Sequence, residues 1–138
     1  RLLGSKLIDV PAHEGKLTPE QVLALRHNLG VVHHVQPSVL SITQSTEWGT
    51  LYSPSEISAL CDAAHELGMR VHLDGARIAN ATAALGGTRE ALRSFTVDAG
   101  VDDNVRAEAK NWSSALTKPM LSPAITSMTR LAYVTMGA

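Results

Sequence analysis

The chain has 138 residues and a mass of 14.7 kDa, enough for one domain of ordinary size and short for two. With 44% hydrophobic and 18% charged residues it can bury a core, which excludes a disordered chain. A net charge of -1 speaks against a nucleic-acid partner, no apolar run approaches the ~20 residues of a membrane span, and the lone Cys61 suits a reducing, cytoplasmic setting. The first residues, Arg1-Leu2-Leu3, carry neither an initiator Met nor a signal-peptide pattern, so a piece of something longer is expected.

Lys6-Leu7-Ile8-Asp9-Val10, closed by Pro11, predicts a first strand. Thr18 is a good N-cap, Pro19 suits the first helical position and Gln21 completes a capping box. The helix they open carries Val22, Leu25 and Leu29 on one stripe and is expected to stop at Gly30. Pro37 to Thr43 alternates around β-branched residues and predicts a second strand, followed by the loop-like Thr46-Glu47-Trp48-Gly49-Thr50. Ser53-Pro54-Ser55-Glu56 repeats the cap-and-proline signature. Behind it, Ile57, Leu60, Ala64 and Leu67 keep a 3.6-residue period until Gly68. Met69 to Asp74 predicts a third strand, and an Ala-rich helix is expected over about 76–85.

Strands alternating with helices predict an α/β fold with a mostly parallel sheet and flanking helices. In such sheets chemistry sits beyond the carboxyl ends of the strands. The residues to weigh are therefore His13 and Glu14, Gln44 to Gly49, and Asp74 to Arg77. His13 beside Glu14 makes no metal site. Asp74 has two readings. It can pair locally with Arg77 three residues on, worth a few tenths of a kcal/mol, or it can hold a proton on a heterocyclic nitrogen, as a pyridoxal phosphate enzyme requires.

Three blocks in order decide between them: Gly15-Lys16-Leu17-Thr18-Pro19-Glu20, Ser41-Ile42-Thr43-Gln44-Ser45-Thr46-Glu47-Trp48-Gly49-Thr50, and His72-Leu73-Asp74-Gly75-Ala76-Arg77-Ile78-Ala79-Asn80-Ala81. Together they resemble the bacterial low-specificity threonine aldolases, of the β-eliminating lyase group of aspartate-aminotransferase-like pyridoxal phosphate enzymes. The resemblance implies that 1–102 is part of that family's large domain and that 103–138 is a divergent tail. It implies pyridoxal 5'-phosphate as cofactor, and cleavage of L-threonine or L-allo-threonine to glycine and acetaldehyde. It also implies a small amino-acid substrate and a homo-oligomer, with no nucleic-acid or membrane partner.

Carried over by residue, the resemblance places Asp74 on the pyridine nitrogen and Arg77 on the phenolic oxygen of the cofactor. It places His33 near the substrate hydroxyl, with His34 beside it as a competitor and a solvated turn as the plainer reading. A Schiff-base lysine is needed. Lys110-Asn111 falls in the family's register counted from Gly100-Val101-Asp102, although Lys110 also reads as an exposed lysine on a polar helix, and Lys118 lies out of register. The phosphate-binding glycine loop, a His that stacks on the cofactor ring and the arginine for the substrate carboxylate are not found in these residues. Two alternatives stand beside the aldolase reading: another pyridoxal phosphate β-eliminating lyase, and a non-catalytic fragment that binds a partner subunit.

Overall fold

A computed structural model describes residues 6–102 and the strand at 133–137. The elements are β1 (Lys6–Asp9), α1 (Pro19–Leu23) running into a 3-10 segment (Ala24–Asn28), β2 (Gln36–Thr43), α2 (Pro54–Glu66), β3 (Arg70–Asp74), α3 (Ile78–Ala84), α4 (Arg89–Phe95) and β4 (Tyr133–Gly137). They form a mixed α/β architecture.

Both cap signatures work as their chemistry predicts. The Thr18 and Ser53 hydroxyls accept the backbone N–H groups of Gln21 and Glu56, whose side chains accept the cap residues' own N–H in return. Each box satisfies two helix-end donors and is worth about 1 kcal/mol. α2 stops in a Schellman arrangement at Gly68, where φ is 72°. The Gly68 N–H donates to His65 and the Met69 N–H to Ala64, which turns the chain directly into β3.

The helix expected to reach Gly30 is instead a five-residue α-helix that tightens into 3-10 winding at Ala24. That winding aligns residues three apart, so Val22 and Leu25 both reach the core while Leu29 is left half-buried in extended backbone. α4 lies where the sequence reading assigned nothing. Its signal is Thr88, whose hydroxyl accepts the Ala91 N–H, ahead of the apolar Ala91, Leu92 and Phe95.

The sheet order is β1-β4-β2-β3. β2 and β3 run parallel, with Leu40 opposite Val71, Ile42 opposite Leu73 and Thr43 opposite Asp74. The expected mostly parallel sheet is found only in part: β2 and β3, connected through α2 as a βαβ unit, are one parallel pairing among the three described. β4 lies antiparallel to both β1 and β2, which makes the sheet mixed. β4 lies between β1 and β2, and it comes from the segment read as a divergent tail.

The core sits on one face of the parallel pair. Leu40, Ile42, Val71 and Leu73 point to it, and Ile57, Leu60, Cys61 and Ala64 of α2 join the same buried cluster. Each fully buried Leu or Ile stabilises the fold by ~2 kcal/mol. Ile78 and Ala81 of α3 and Leu92 and Phe95 of α4 complete the cluster. On the opposite face the strands carry polar residues, and the Ser41 hydroxyl lies 2.9 Å from His72 Nδ1. α2 thereby holds β2 and β3 in a register that ends both strands side by side, at Thr43 and Asp74.

Candidate active site

Beyond Thr43 the ladder continues for one more bond, from the Gln44 N–H to the Asp74 carbonyl (3.0 Å). The chain then turns through a cis Gln44-Ser45 peptide into the 45–52 loop. The fully buried Gln44 side chain closes this loop. Its Nε2 donates to the Tyr52 carbonyl (2.8 Å), and its Oε1 accepts the Tyr52 N–H (3.1 Å). The primary amide therefore imitates a strand neighbour for one peptide unit, leaving none of these buried polar groups unmet.

The loop is tied a second time to the turn that precedes α1. Glu14 and Gly15 both have positive φ (52° and 74°), and the Lys16 N–H closes the turn on the His13 carbonyl. The Thr50 hydroxyl donates to the Glu14 carbonyl (2.7 Å), and the Tyr52 hydroxyl accepts the Leu17 N–H (2.7 Å). Lys16 reaches the Leu51 carbonyl and pairs with Glu56 at 2.5 Å. Burial pushes the Tyr52 phenol above its ordinary range, the Leu17 N–H works against that shift, and the Glu56 carboxylate adds to it.

Asp74 ends β3 with its Oδ1 accepting the Ala76 N–H (3.0 Å), an Asx turn that aims the carboxylate off the strand end. Arg77 follows within the turn and pairs with Glu47, Nη2 to Oε1 at 2.5 Å, while its Nε donates to the Ser45 carbonyl at 3.3 Å. The local Asp74–Arg77 pair is therefore not what holds Arg77. Asp74, Arg77 and Glu47 come together beyond the carboxyl ends of the parallel strands, where ligands of such sheets bind. Asp74 keeps one carboxylate oxygen without a partner among the described residues. That donor set fits a ligand with a protonated ring nitrogen, because the Ala76 N–H fixes the carboxylate and leaves an acceptor open.

His33 lies elsewhere. It belongs to the loop before β2, where the Gln36 amide donates to the carbonyls of Asn28, Val31 and His34 and accepts the Gly30 N–H. Residues 30–36 line an open surface cavity of about 580 Å³ there. Because β2 and β3 are parallel, this loop is at the amino end of the pair. The eight residues of β2 put roughly 25 Å between it and the Asp74 end. The structure brings Asp74 and Arg77 together and does not bring His33 to them. His34 shares that loop. Lys110 and Lys118 lie outside the described residues.

Glu47 is the site residue whose role the sequence did not assign. The available signal was its position in the loop directly after a strand's carboxyl end. Cys61, on the core side of α2, is buried, and burial above all, then the Asp102 and Asp62 carboxylates, push its thiol up to about 12, away from the thiolate form. Among the described residues no cluster of His, Cys, Asp and Glu has the makings of a metal site. No helix among them is long and apolar enough to cross a membrane.

Comparison with known proteins places the chain among relatives by sequence. A family model described as beta-eliminating lyase matches residues 1–114. The chain is 41% identical over 99 residues to a low specificity L-threonine aldolase of Pseudomonas sp. (strain NCIMB 10558), covering 72% of this chain and 28% of that protein. It is 42% identical over 83 residues to a low specificity L-threonine aldolase of Pseudomonas aeruginosa (strain PAO1), covering 60% of this chain and 24% of that one. The chain spans about a quarter of the length of the curated relatives it matches.

Proposed function

The chain belongs to the beta-eliminating lyase family, and on that premise we propose that it carries the ring-binding part of a pyridoxal 5'-phosphate enzyme that cleaves L-threonine or L-allo-threonine to glycine and acetaldehyde. The observation that carries the proposal is the Asp74 carboxylate, fixed by the Ala76 N–H beyond the carboxyl end of β3 with one oxygen open. The names of the two relatives support the choice of substrate.

The cofactor, when bound, supplies an electron sink for the pair left as the substrate's Cα–Cβ bond breaks. Asp74 accepts the hydrogen bond of the ring nitrogen and keeps the proton there, since a fixed carboxylate stabilises the adjacent positive charge. Arg77 offers its remaining guanidinium N–H groups to the phenolic oxygen, in the planar, directed arrangement that a lysine lacks. The 44–52 loop, clamped by Gln44 and the 13–17 turn, holds Glu47 and the Ser45 carbonyl against Arg77.

Lys110 is the proposed covalent attachment point. The reading rests on the register counted from Gly100-Val101-Asp102 that the family resemblance implies. His33 stands at the far end of the parallel pair from Asp74. The assembly we propose, on the family resemblance, is a homo-oligomer in a cytoplasmic setting.

Incubating the chain with pyridoxal 5'-phosphate, reducing with borohydride and mapping the labelled peptide tests this reading. Label on Lys110 supports it. Label elsewhere overturns the lysine assignment, and an unlabelled chain that also shows no change in cofactor absorbance overturns the cofactor.

A further inference from the structure

Glu47 stands at the mouth of the site, largely buried with its side chain 19% exposed, and its carboxylate takes Nη2 of Arg77. The Ser45 carbonyl takes Nε of the same guanidinium. Both anchors come from the loop after β2, whereas Arg77 comes from the turn after β3. The guanidinium is planar and its donors are fixed in direction, so two anchors on Nε and Nη2 leave a single orientation for the third nitrogen. Nη1 has no acceptor among the described residues, and it is the nitrogen left to meet a ligand.

We propose that Glu47 is a positioning residue that, with the Ser45 carbonyl, holds Arg77 with Nη1 turned to the site. The assignment of Nη1 to the phenolic oxygen of a pyridoxal-type ring rests on the function proposed above; the orientation itself does not. The arrangement has a physical rationale. An unanchored arginine samples many rotamers, and ordering it at the moment of binding costs affinity, whereas an arginine already held in place binds with that cost removed. The 45–47 segment can do this because Gln44 and Tyr52 lock its base and Thr46 and Thr50 bond hydroxyl to hydroxyl across it (2.6 Å).

Two measurements on the full chain test the proposal. In the first, made without any ligand, side-chain proton exchange of Arg77 Nε–H is followed by NMR, with the signal assigned by its loss in Arg77→Lys. Exchange at least about fivefold slower than at Arg89, which makes no ion pair among the described residues, is expected in the wild type. Glu47→Ala should bring it close to the Arg89 rate, and Glu47→Gln, which keeps an acceptor oxygen, should fall between. Wild-type exchange as fast as at Arg89, or exchange unchanged by Glu47→Ala, overturns the proposal.

In the second, pyridoxine 5'-phosphate serves as the probe, since it has the ring nitrogen and phenolic oxygen but no aldehyde to react with a lysine. Glu47→Ala should bind it about tenfold more weakly than the wild type, with a melting temperature within about 2 °C of it. Equal affinity overturns the assignment of Nη1 to the ligand. A wild-type chain that leaves the probe free overturns the cofactor reading instead, and the exchange rates then decide the Glu47–Arg77 arrangement by themselves.

Discussion

The Arg77 guanidinium, in the turn after β3, donates to the Glu47 carboxylate in the loop after β2, at 2.5 Å. Thirty positions of chain separate the two residues, yet they meet because α2 returns the chain to lay β3 parallel to β2, with Thr43 and Asp74 ending level. The pair does two things. It fixes an arginine beside Asp74, and it leaves the Asp74 carboxylate free of the arginine that stands nearest to it in sequence.

That freedom is testable. Asp74→Asn keeps an oxygen for the Ala76 N–H but removes the charge that stabilises a protonated ring nitrogen. Pyridoxine 5'-phosphate binding, followed by fluorescence titration, should weaken about tenfold or more. The urea midpoint should barely move, because Asp74 is only half-buried and its turn survives.

Gln44 is the reverse case, a buried polar residue whose value is structural. Gln44→Leu leaves both the N–H and the C=O of Tyr52 without partners in a site closed to water. A loss of about 2–4 kcal/mol in urea unfolding is expected, along with loosening of the loop that carries Ser45 and Glu47.

Tyr52 gives the fold an alkaline limit. Its phenol is held above the ordinary range by burial, so in the folded state it keeps its proton to a higher pH than in the unfolded chain. Between those two values the native state binds more protons, and stability falls as pH rises from about 10 upward. Below that range the contribution is fully present. Tyr52→Phe should remove this alkaline decline in denaturation curves taken between about pH 9 and 11. At neutral pH it should cost about 1–3 kcal/mol, since the Leu17 N–H loses its acceptor.

Gly15 is required by both backbone and packing. Its φ of 74° is in the left-handed region, and a Cβ there would stand 3.1 Å from Trp48 Cδ1 and 3.2 Å from Thr46 Cβ. Gly15→Ala should destabilise the chain by at least about 1–2 kcal/mol and displace the 46–50 loop. Loss of the Thr50-to-Glu14 contact in NMR spectra would report the displacement.

Local signals in the chain were sufficient for much of this molecule. The caps at Thr18 and Ser53, the stop at Gly68 and the apolar period of α2 are each written within a few residues, because helix ends are satisfied by near neighbours. The βαβ order that places Asp74 at a strand end was legible for the same reason. The motif blocks around Thr43 and Asp74 pointed to the family to which the chain belongs.

Pairing over distance was not legible. Nothing in Tyr133–Gly137 as a string says that it lies antiparallel between β1 and β2, since strand partners are chosen by backbone bonds made in the folded state. Nothing in Arg77 says that it prefers a carboxylate thirty residues upstream to the one three residues away. His33 could be placed before a strand from sequence, but which end of the sheet that means relative to Asp74 follows from strand direction alone. The sequence by itself determined the elements, their caps and the lineage they share, through contacts between near neighbours. The tertiary structure decided which of the nominated residues form one site, because only the parallel register of β2 and β3 sets Asp74, Arg77 and Glu47 together and leaves His33 at the other end.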